Sequence, residues 1–480
     1  MNLTTQFRQA RAWVRDELRF DLDENKNKTR SLIAYIGHLM SAYALEKDTL
    51  FLRKATEIAR LLEPAFFSEH IAADIADSVG DFNSTYSFYD LTHPELTYLA
   101  NILGPSSAFA AYVTEFQDSL KRLARPVKLV QQLQSSPAAE SDSVILLFSK
   151  SEGRNGTFST SSSPRLVDIL RDFYYNLLRL YVQSDGYDVQ SLEAYSLALN
   201  LYEWRSSPDR LFSRSPNGTY LYVRNNNLKR NETSGVSCSL GAMLALGREA
   251  IQAELEKKKK KFAKVNQTTD GEALQSPVAD ADDDDHLLST VYRNQTARHR
   301  HLAEQLTASC QAVAVNVTSL GLLPESWRFQ KETRDEIVLD GPVWRSLLTP
   351  DLAESLFTLH RLTGRQQYRD WAWTLVQAIE ARCRTAEGFY STVEMEVVNG
   401  TKGDENGSAI LQTGTIPPTF FSGTLKYLFL VFAGPADYHR LPLRQWTFNR
   451  AGNPLPVCGQ NSMYSETLCR WQSRKQMHHY

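Results

Sequence analysis

Helix-forming apolar stripes arrive in pairs along this chain, and a sequence built from such pairs has few ways to bury them. In 349–384 (TPDLAESLFTLHRLTGRQQYRDWAWTLVQAIEARCR) Leu352, Leu356 and Leu359 recur on one helical face. Thr363-Gly364 breaks the pattern, and Tyr368, Trp371, Leu375 and Ile379 begin a second stripe. The same helix–turn–helix pattern appears at 32–62, 94–123 and 172–202. The copies match in pattern and only loosely in identity, which reads as an α-hairpin array and predicts an all-α body. Such arrays stack as an open solenoid or close into an α/α toroid, and periodicity alone leaves both open.

Strand signals are local decorations on that body. Thr219–Val223 and Glu394–Val398 each resemble one arm of a small β-hairpin, with Asn-Gly turns at 217–218 and 399–400. The insertion at 252–295 holds the run Lys257–Lys261 and then Asp280 and Asp282–Asp285. Like-charge blocks with few apolar residues predict a disordered surface loop there. The tail, 458–480, is expected to be unstructured too.

With 480 residues the chain can bury a substantial core, and a formal net charge of -2 with 22% charged residues gives no field for nucleic acid or an anionic membrane. No apolar run reaches membrane-spanning length, and Leu425–Gly434 reads as a buried helix. Compartment is signalled by asparagine: eleven residues (Asn2, Asn27, Asn83, Asn155, Asn217, Asn231, Asn266, Asn294, Asn316, Asn399 and Asn406) open an Asn-X-Ser/Thr sequon. That excess predicts a glycosylated chain of the secretory pathway. The N-terminus, MNLTTQFRQARAWVRDEL, has no apolar leader and starts as an amphipathic helix, so the true start is expected upstream. The five cysteines (Cys238, Cys310, Cys383, Cys458 and Cys469) leave at least one thiol unpaired in an oxidising lumen. Their spacing matches no zinc site.

Several motifs, in order, resemble the glycoside hydrolase family 47 α-1,2-mannosidases. FRQARAWVRDELRFDLDENKNKTRSLIAYIGHLMSAYAL (7–45) is similar to the family's EAREWVEENLDF…SVFETTIRVLGGLLSAYYL. VSCSLGAMLALG (236–247) resembles HLVCFLGGMLALG, and GLLPESWRF (321–329) resembles GLAPEIVRF. PTFFSGTLKYLFLVF (418–432) resembles SFFLAETLKYLYLLF, and FNRAGNPLPV (448–457) resembles FNTEAHPLPI. The 349–384 hairpin matches the family's C-terminal signature. The resemblance implies one (α/α)7 barrel over 1–457, a Cys238–Cys310 disulfide, and a first barrel helix and membrane anchor not present in this sequence.

Glycoside hydrolysis needs a protonated carboxyl as acid and a second carboxylate that activates water or attacks. At the family's general-acid position, the Glu of FETTIR, this chain has Arg30, and the family's Arg four residues on is Ala34. RDFYYNLLR aligned with the family's DSYYEYLLK puts Arg171 at the second essential carboxylate and Tyr175 at its neighbouring Glu. A one-residue slip would place Asp172 there instead. Thr233-Ser234-Gly235 replaces Met-Asp-His, Gly423 replaces the Glu of AETLKY, and Arg450 replaces the Thr that ligates the family's calcium. A cation at 450 disfavours a dication, so no metal cofactor is expected. Glu325 and Glu95 match family acids, the family's Arg-Pro-Glu is Thr349-Pro350-Asp351, and Glu354 keeps the following acid. Glu95, Asp351 and Glu354 also read as ordinary helix-start carboxylates.

The expectation is therefore a secretory-pathway barrel that binds mannose-rich N-glycans, or glycoproteins carrying them, with most of its catalytic machinery substituted. The alternatives are an active α-1,2-mannosidase using Glu325, Asp351 and Asp172, and an interaction scaffold that ignores glycans.

Overall fold

A computed structural model describes residues 4–20, 28–67, 94–111, 113–114, 167, 170–204, 211–224, 232–268, 279–318, 320–329, 337–339, 343–396, 410–434 and 441–469. Its helices are α1 (Thr4–Asp16), α2 (Lys28–Glu46), α3 (Thr49–Phe67), α4 (Pro94–Leu103), α5 (Tyr175–Gln183) and α6 (Val189–Trp204). They continue as α7 (Leu240–Thr268), α8 (Ala279–Ala312), α9 (Asp351–Thr363), α10 (Gln367–Arg382), α11 (Leu425–Phe432) and α12 (Glu466–Cys469). The four expected hairpin segments thus appear as α2–α3, α4 with the helical residues 108–111, α5–α6 and α9–α10. In the last, Gly364 at φ 68° supplies the left-handed cap that ends α9 and turns the chain into α10.

The hairpins close rather than stack openly. Among the described residues α2 packs on α4, α4 on α5, α5 on α7, α7 on α9 and α9 on α11, an inner ring. Helices α3, α6, α8 and α10 pack outside it. The ring is completed by an antiparallel hairpin of β9 (Trp446–Phe448) and β10 (Pro454–Pro456), which touches α2, α4 and α5. At its tip Asn453 accepts from Lys426 of α11 (3.1 Å) and donates to His38 of α2 (2.8 Å), linking the last inner helix to the first. Gly37 lets the tip approach: a Cβ there would lie 2.7 Å from Asn449 Nδ2 and 3.0 Å from Glu95 Oε1. The fold is the expected all-α (α/α)7 barrel with small sheets.

Those sheets sit at the rim. β1 (Phe212–Arg214) pairs with β2 (Leu221–Val223), with Gly218 at φ +77° in the predicted Asn-Gly turn. β3 (Glu232–Ser234), β4 (Ser326–Phe329) and β5 (Ile337–Leu339) form one antiparallel sheet. β6 (Val343–Ser346), β7 (Val393–Glu396) and β8 (Ile410–Gln412) form another. The expected Asn399-Gly400 turn lies outside the described residues.

Two expectations are corrected. The segment 252–295 is not a disordered loop where it is described: α7 continues to Thr268 and α8 begins at Ala279, and the two pack as a long antiparallel hairpin. The aspartates occupy the first turns of α8, where the helix dipole favours acids, while the lysines, good helix formers, lie inside α7, seven or more residues short of its end. Lys257 also donates to the Asp185 carbonyl at 3.1 Å, and Lys258 lies 6.0 Å from the Tyr292 ring centroid. The tail is likewise ordered as far as Cys469, by a Cys458–Cys469 disulfide and by buried Tyr464, which packs edge-on against Tyr98 at 5.0 Å. Residues 470–480 lie outside the described residues.

Cys238 and Cys310 form the disulfide that the resemblance implies, pinning the start of α7 to the end of α8. The remaining thiol is Cys383, fully buried, with burial pushing it up to about 12. A thiol held protonated and out of solvent is unreactive. Titration with a disulfide reagent is therefore expected to find no reactive thiol in the native protein and one after unfolding. A native thiol count of one would place Cys383 in reach of solvent.

Candidate active site

The polar interior of the ring gathers around the N-terminal ends of α5 and α9. Ahead of α5 the chain makes a π turn, Leu170–Tyr174, which inserts one residue and turns both Arg171 and Asp172 into buried space. Ahead of α9 Leu348 is held at φ 53°, a left-handed conformation uncommon for leucine, while its carbonyl accepts from Thr424 at 2.6 Å. That bend delivers Thr349-Pro350 and starts α9 at Asp351.

Four charges meet there. Arg171 holds Asp172 bidentately, with Nε to Oδ1 at 2.7 Å and Nη2 to Oδ2 at 3.1 Å. Arg450, from the β9–β10 turn, reaches the same Oδ1 at 2.9 Å. Arg171 Nη1 lies 3.8 Å from Asp351 Oδ1. Burial pushes the Asp351 carboxyl up, against the opposing pull of Arg171, a hydrogen bond from Thr349 and Arg450. Asp172 is thus clamped between two guanidiniums, its lone pairs engaged in charge-assisted hydrogen bonds.

One turn into α9 a second ion pair is deeper still. Arg179 Nη2 donates to Glu354 Oε1 at 2.7 Å, and its guanidinium lies 3.6 Å from the Tyr175 ring centroid. Burial raises the Glu354 carboxyl against the pull of Arg179. On the far side of the hairpin Glu95 accepts from Asn449 Nδ2 at 3.1 Å. Nearby, burial lowers His38, in keeping with a neutral ring whose Nδ1 accepts from Asn453, and lowers the Lys426 amine to about 8.

The sequence-level candidates therefore divide. Asp172, Asp351, Arg171 and Arg450 form one cluster, with Glu354 and Glu95 in neighbouring buried pairs. Glu325 stands outside those ion pairs: it is exposed, its backbone N–H donates to the Arg345 carbonyl, and it lines a small, mostly apolar cleft that also holds Leu323, Ser346, Thr349 and Leu352. Arg30 falls in the first turn of α2, and its side chain lies outside the described residues. Gly423 lies in a π turn (Phe420–Thr424), where a Cβ would sit 2.8 Å from the Pro350 Cβ, so a glutamate fits there only if Pro350 moves. Sequence reading missed Arg179, Asn449 and Asn453. The available signals were an arginine inside the apolar stripe of YYNLLRLY and two asparagines bracketing a tight glycine turn.

Calcium does not fit the residues present. Position 450 offers a guanidinium already on Asp172, and no group of three His, Cys, Asp or Glu side chains suited to a metal ion occurs among the described residues.

Comparison with known proteins gives these positions their context. The model for glycosyl hydrolase family 47 matches residues 1–457. The chain belongs to that family. It is 26% identical to mannosyl-oligosaccharide alpha-1,2-mannosidase IA of Spodoptera frugiperda, covering 97% of this chain and 59% of that protein. Against the endoplasmic reticulum mannosyl-oligosaccharide 1,2-alpha-mannosidase of Homo sapiens the identity is also 26%, over 95% of this chain and 56% of that one. The chain thus spans under two thirds of the length of these curated relatives. The alpha-1,2-mannosidase from Trichoderma reesei shares the fold, with a TM-score of 0.62 at 17% identity, covering 94% of this chain and 86% of that one. The human relative is named for the endoplasmic reticulum. Among the described residues of this chain no helix is long and apolar enough to cross a membrane.

Proposed function

We propose that this family 47 barrel binds mannose-rich N-glycans, or glycoproteins carrying them, without efficient trimming. The observation that carries the reading is the clamp on Asp172. A carboxylate whose oxygens accept from two guanidiniums is a poor base for water. The same cations put positive charge where an oxocarbenium-like transition state would develop. A well-placed general acid or base contributes about 10²–10⁴ in rate, and here Arg30, Arg171 and Arg450 stand at three of the positions where the resemblance places catalytic and metal-binding groups.

A second reading, an active α-1,2-mannosidase, is favoured by Asp351, whose buried carboxyl is shifted in the direction a general acid needs. Mass spectrometry of a free high-mannose N-glycan incubated with the purified protein, with calcium or a chelator, separates the two. The expected result is an unchanged glycan in both conditions. Stepwise mannose loss that chelation abolishes would overturn the proposal and its account of position 450. A glycan array on the same protein is expected to show mannose-dependent binding, and a blank array would leave the scaffold reading.

A further inference from the structure

Of the eleven sequons, three have an asparagine whose surroundings are described, and all three asparagines are exposed: Asn217, Asn294 and Asn316. Their placement is ordered. Asn294 sits on the outer helix α8, whose opposite face buries Tyr292, Gln295, His299, Ala303, Leu306 and Cys310. Eleven residues further on, Gln305 accepts from Arg214 at 3.0 Å, and Ser309 accepts the Leu221 N–H at 2.9 Å. Those two bonds seat the β1–β2 hairpin on α8, and Arg214 also caps the turn by donating to the Gly218 carbonyl at 3.2 Å. Asn217 precedes Gly218 in that turn, on the hairpin that Arg214 ties to Gln305. Another eleven residues on is Asn316, in the π turn Val313–Val317 that ends the helix.

Eleven residues are close to three helical turns, so 294 and 305 fall near one side of α8, about 16 Å apart, and Asn316 follows in the π turn at its end. The surface they mark is also poor in large apolar side chains. Of those exposed among the described residues, only Val315 lies on α8, its π turn or the β1–β2 hairpin, and the others, Phe421, Phe389 and Trp373 among them, lie elsewhere.

We infer that the outer face of α8 carries a row of three N-linked glycans, at Asn294, Asn217 and Asn316. The donor is an oligosaccharide on an isoprenoid diphosphate in the lumen. Asparagine Nδ2 forms a bond to the anomeric carbon, the carbon–oxygen bond to the diphosphate breaks, and the isoprenoid diphosphate leaves as the amide loses one proton. The serine or threonine two residues on defines the acceptor site. Here it is Thr219, Thr296 and Thr318.

The test uses the full chain expressed in a eukaryotic secretory pathway. Enzymatic release of N-glycans in heavy-oxygen water converts each occupied asparagine to labelled aspartate, which peptide mass spectrometry locates. Label is expected at all three positions. Asn217→Gln and Asn294→Gln should each remove one glycan's worth of mass, while Thr296→Ser keeps the glycan at Asn294. An unlabelled Asn217, Asn294 or Asn316 in the folded, secreted protein overturns the row. So does loss of the Asn294 glycan in the serine variant. If a glutamine variant fails to be secreted, the wild-type peptide map still decides.

Discussion

Replacing Arg179 with methionine is expected to destabilise the protein by about 3–5 kcal/mol, because it strands a buried carboxylate. Arg179 and Glu354 expose 1% and 6% of their side chains, so neither charge has water to fall back on. Glu354 is already raised by burial with its arginine in place, and without it the carboxyl rises further. That direction fixes the sign of the pH dependence. An acid whose folded pKa lies above its unfolded value favours folding when protonated, and that contribution is lost as pH rises through the folded pKa. The Arg179→Met defect should therefore be small in acid and grow as pH climbs above the ordinary glutamate range. Adding Glu354→Gln, which keeps an acceptor but removes the charge, should recover at least half the loss and flatten its pH dependence. Denaturant unfolding of the two variants at several pH values checks this. An Arg179→Met protein as stable as the parent at neutral pH would show that the pair does not hold the interior charge.

That pair also shows where sequence reading stops. The hairpins were legible because a 3.6-residue apolar period survives in any single sequence, and Gly364 marks its own turn. The candidate acids were legible only through the family resemblance, and their pairing was not. The one-residue ambiguity between Arg171 and Asp172 meets a structure that buries both: they sit side by side in the π turn at 170–174. Both side chains consequently enter the interior, where a strict alignment would have kept one. The charged insertion misled for a different reason. Counting its charges ignored that lysine is a good helix former and that the aspartates fall in the first turns of α8. The order of the tail depends on Tyr464 meeting Tyr98 and Asn101, partners more than 360 positions away. No local pattern carries that information.

Removing the Cys238–Cys310 bridge by serine substitution at both positions is expected to cost about 4 kcal/mol. The two residues are 72 positions apart, and a cross-link that closes a loop of this length withdraws roughly that much chain entropy from the unfolded ensemble. The loop it closes contains almost all of α7 and α8, the longest helix pair among the described residues. Both cysteines are at most 1% exposed, so two serine hydroxyls would be buried where sulfurs were, adding to the loss. At this chain length the shift in melting temperature is about 1 °C per kcal/mol, so the double variant should melt on the order of 4 °C lower. A Cys458→Ser/Cys469→Ser variant is the control. Its bridge spans 11 positions, near the described end of the chain, and should matter less. Equal losses from the two variants would mean that loop length does not set the effect. An unchanged melting temperature for Cys238→Ser/Cys310→Ser would mean that α7 and α8 are held together by packing alone.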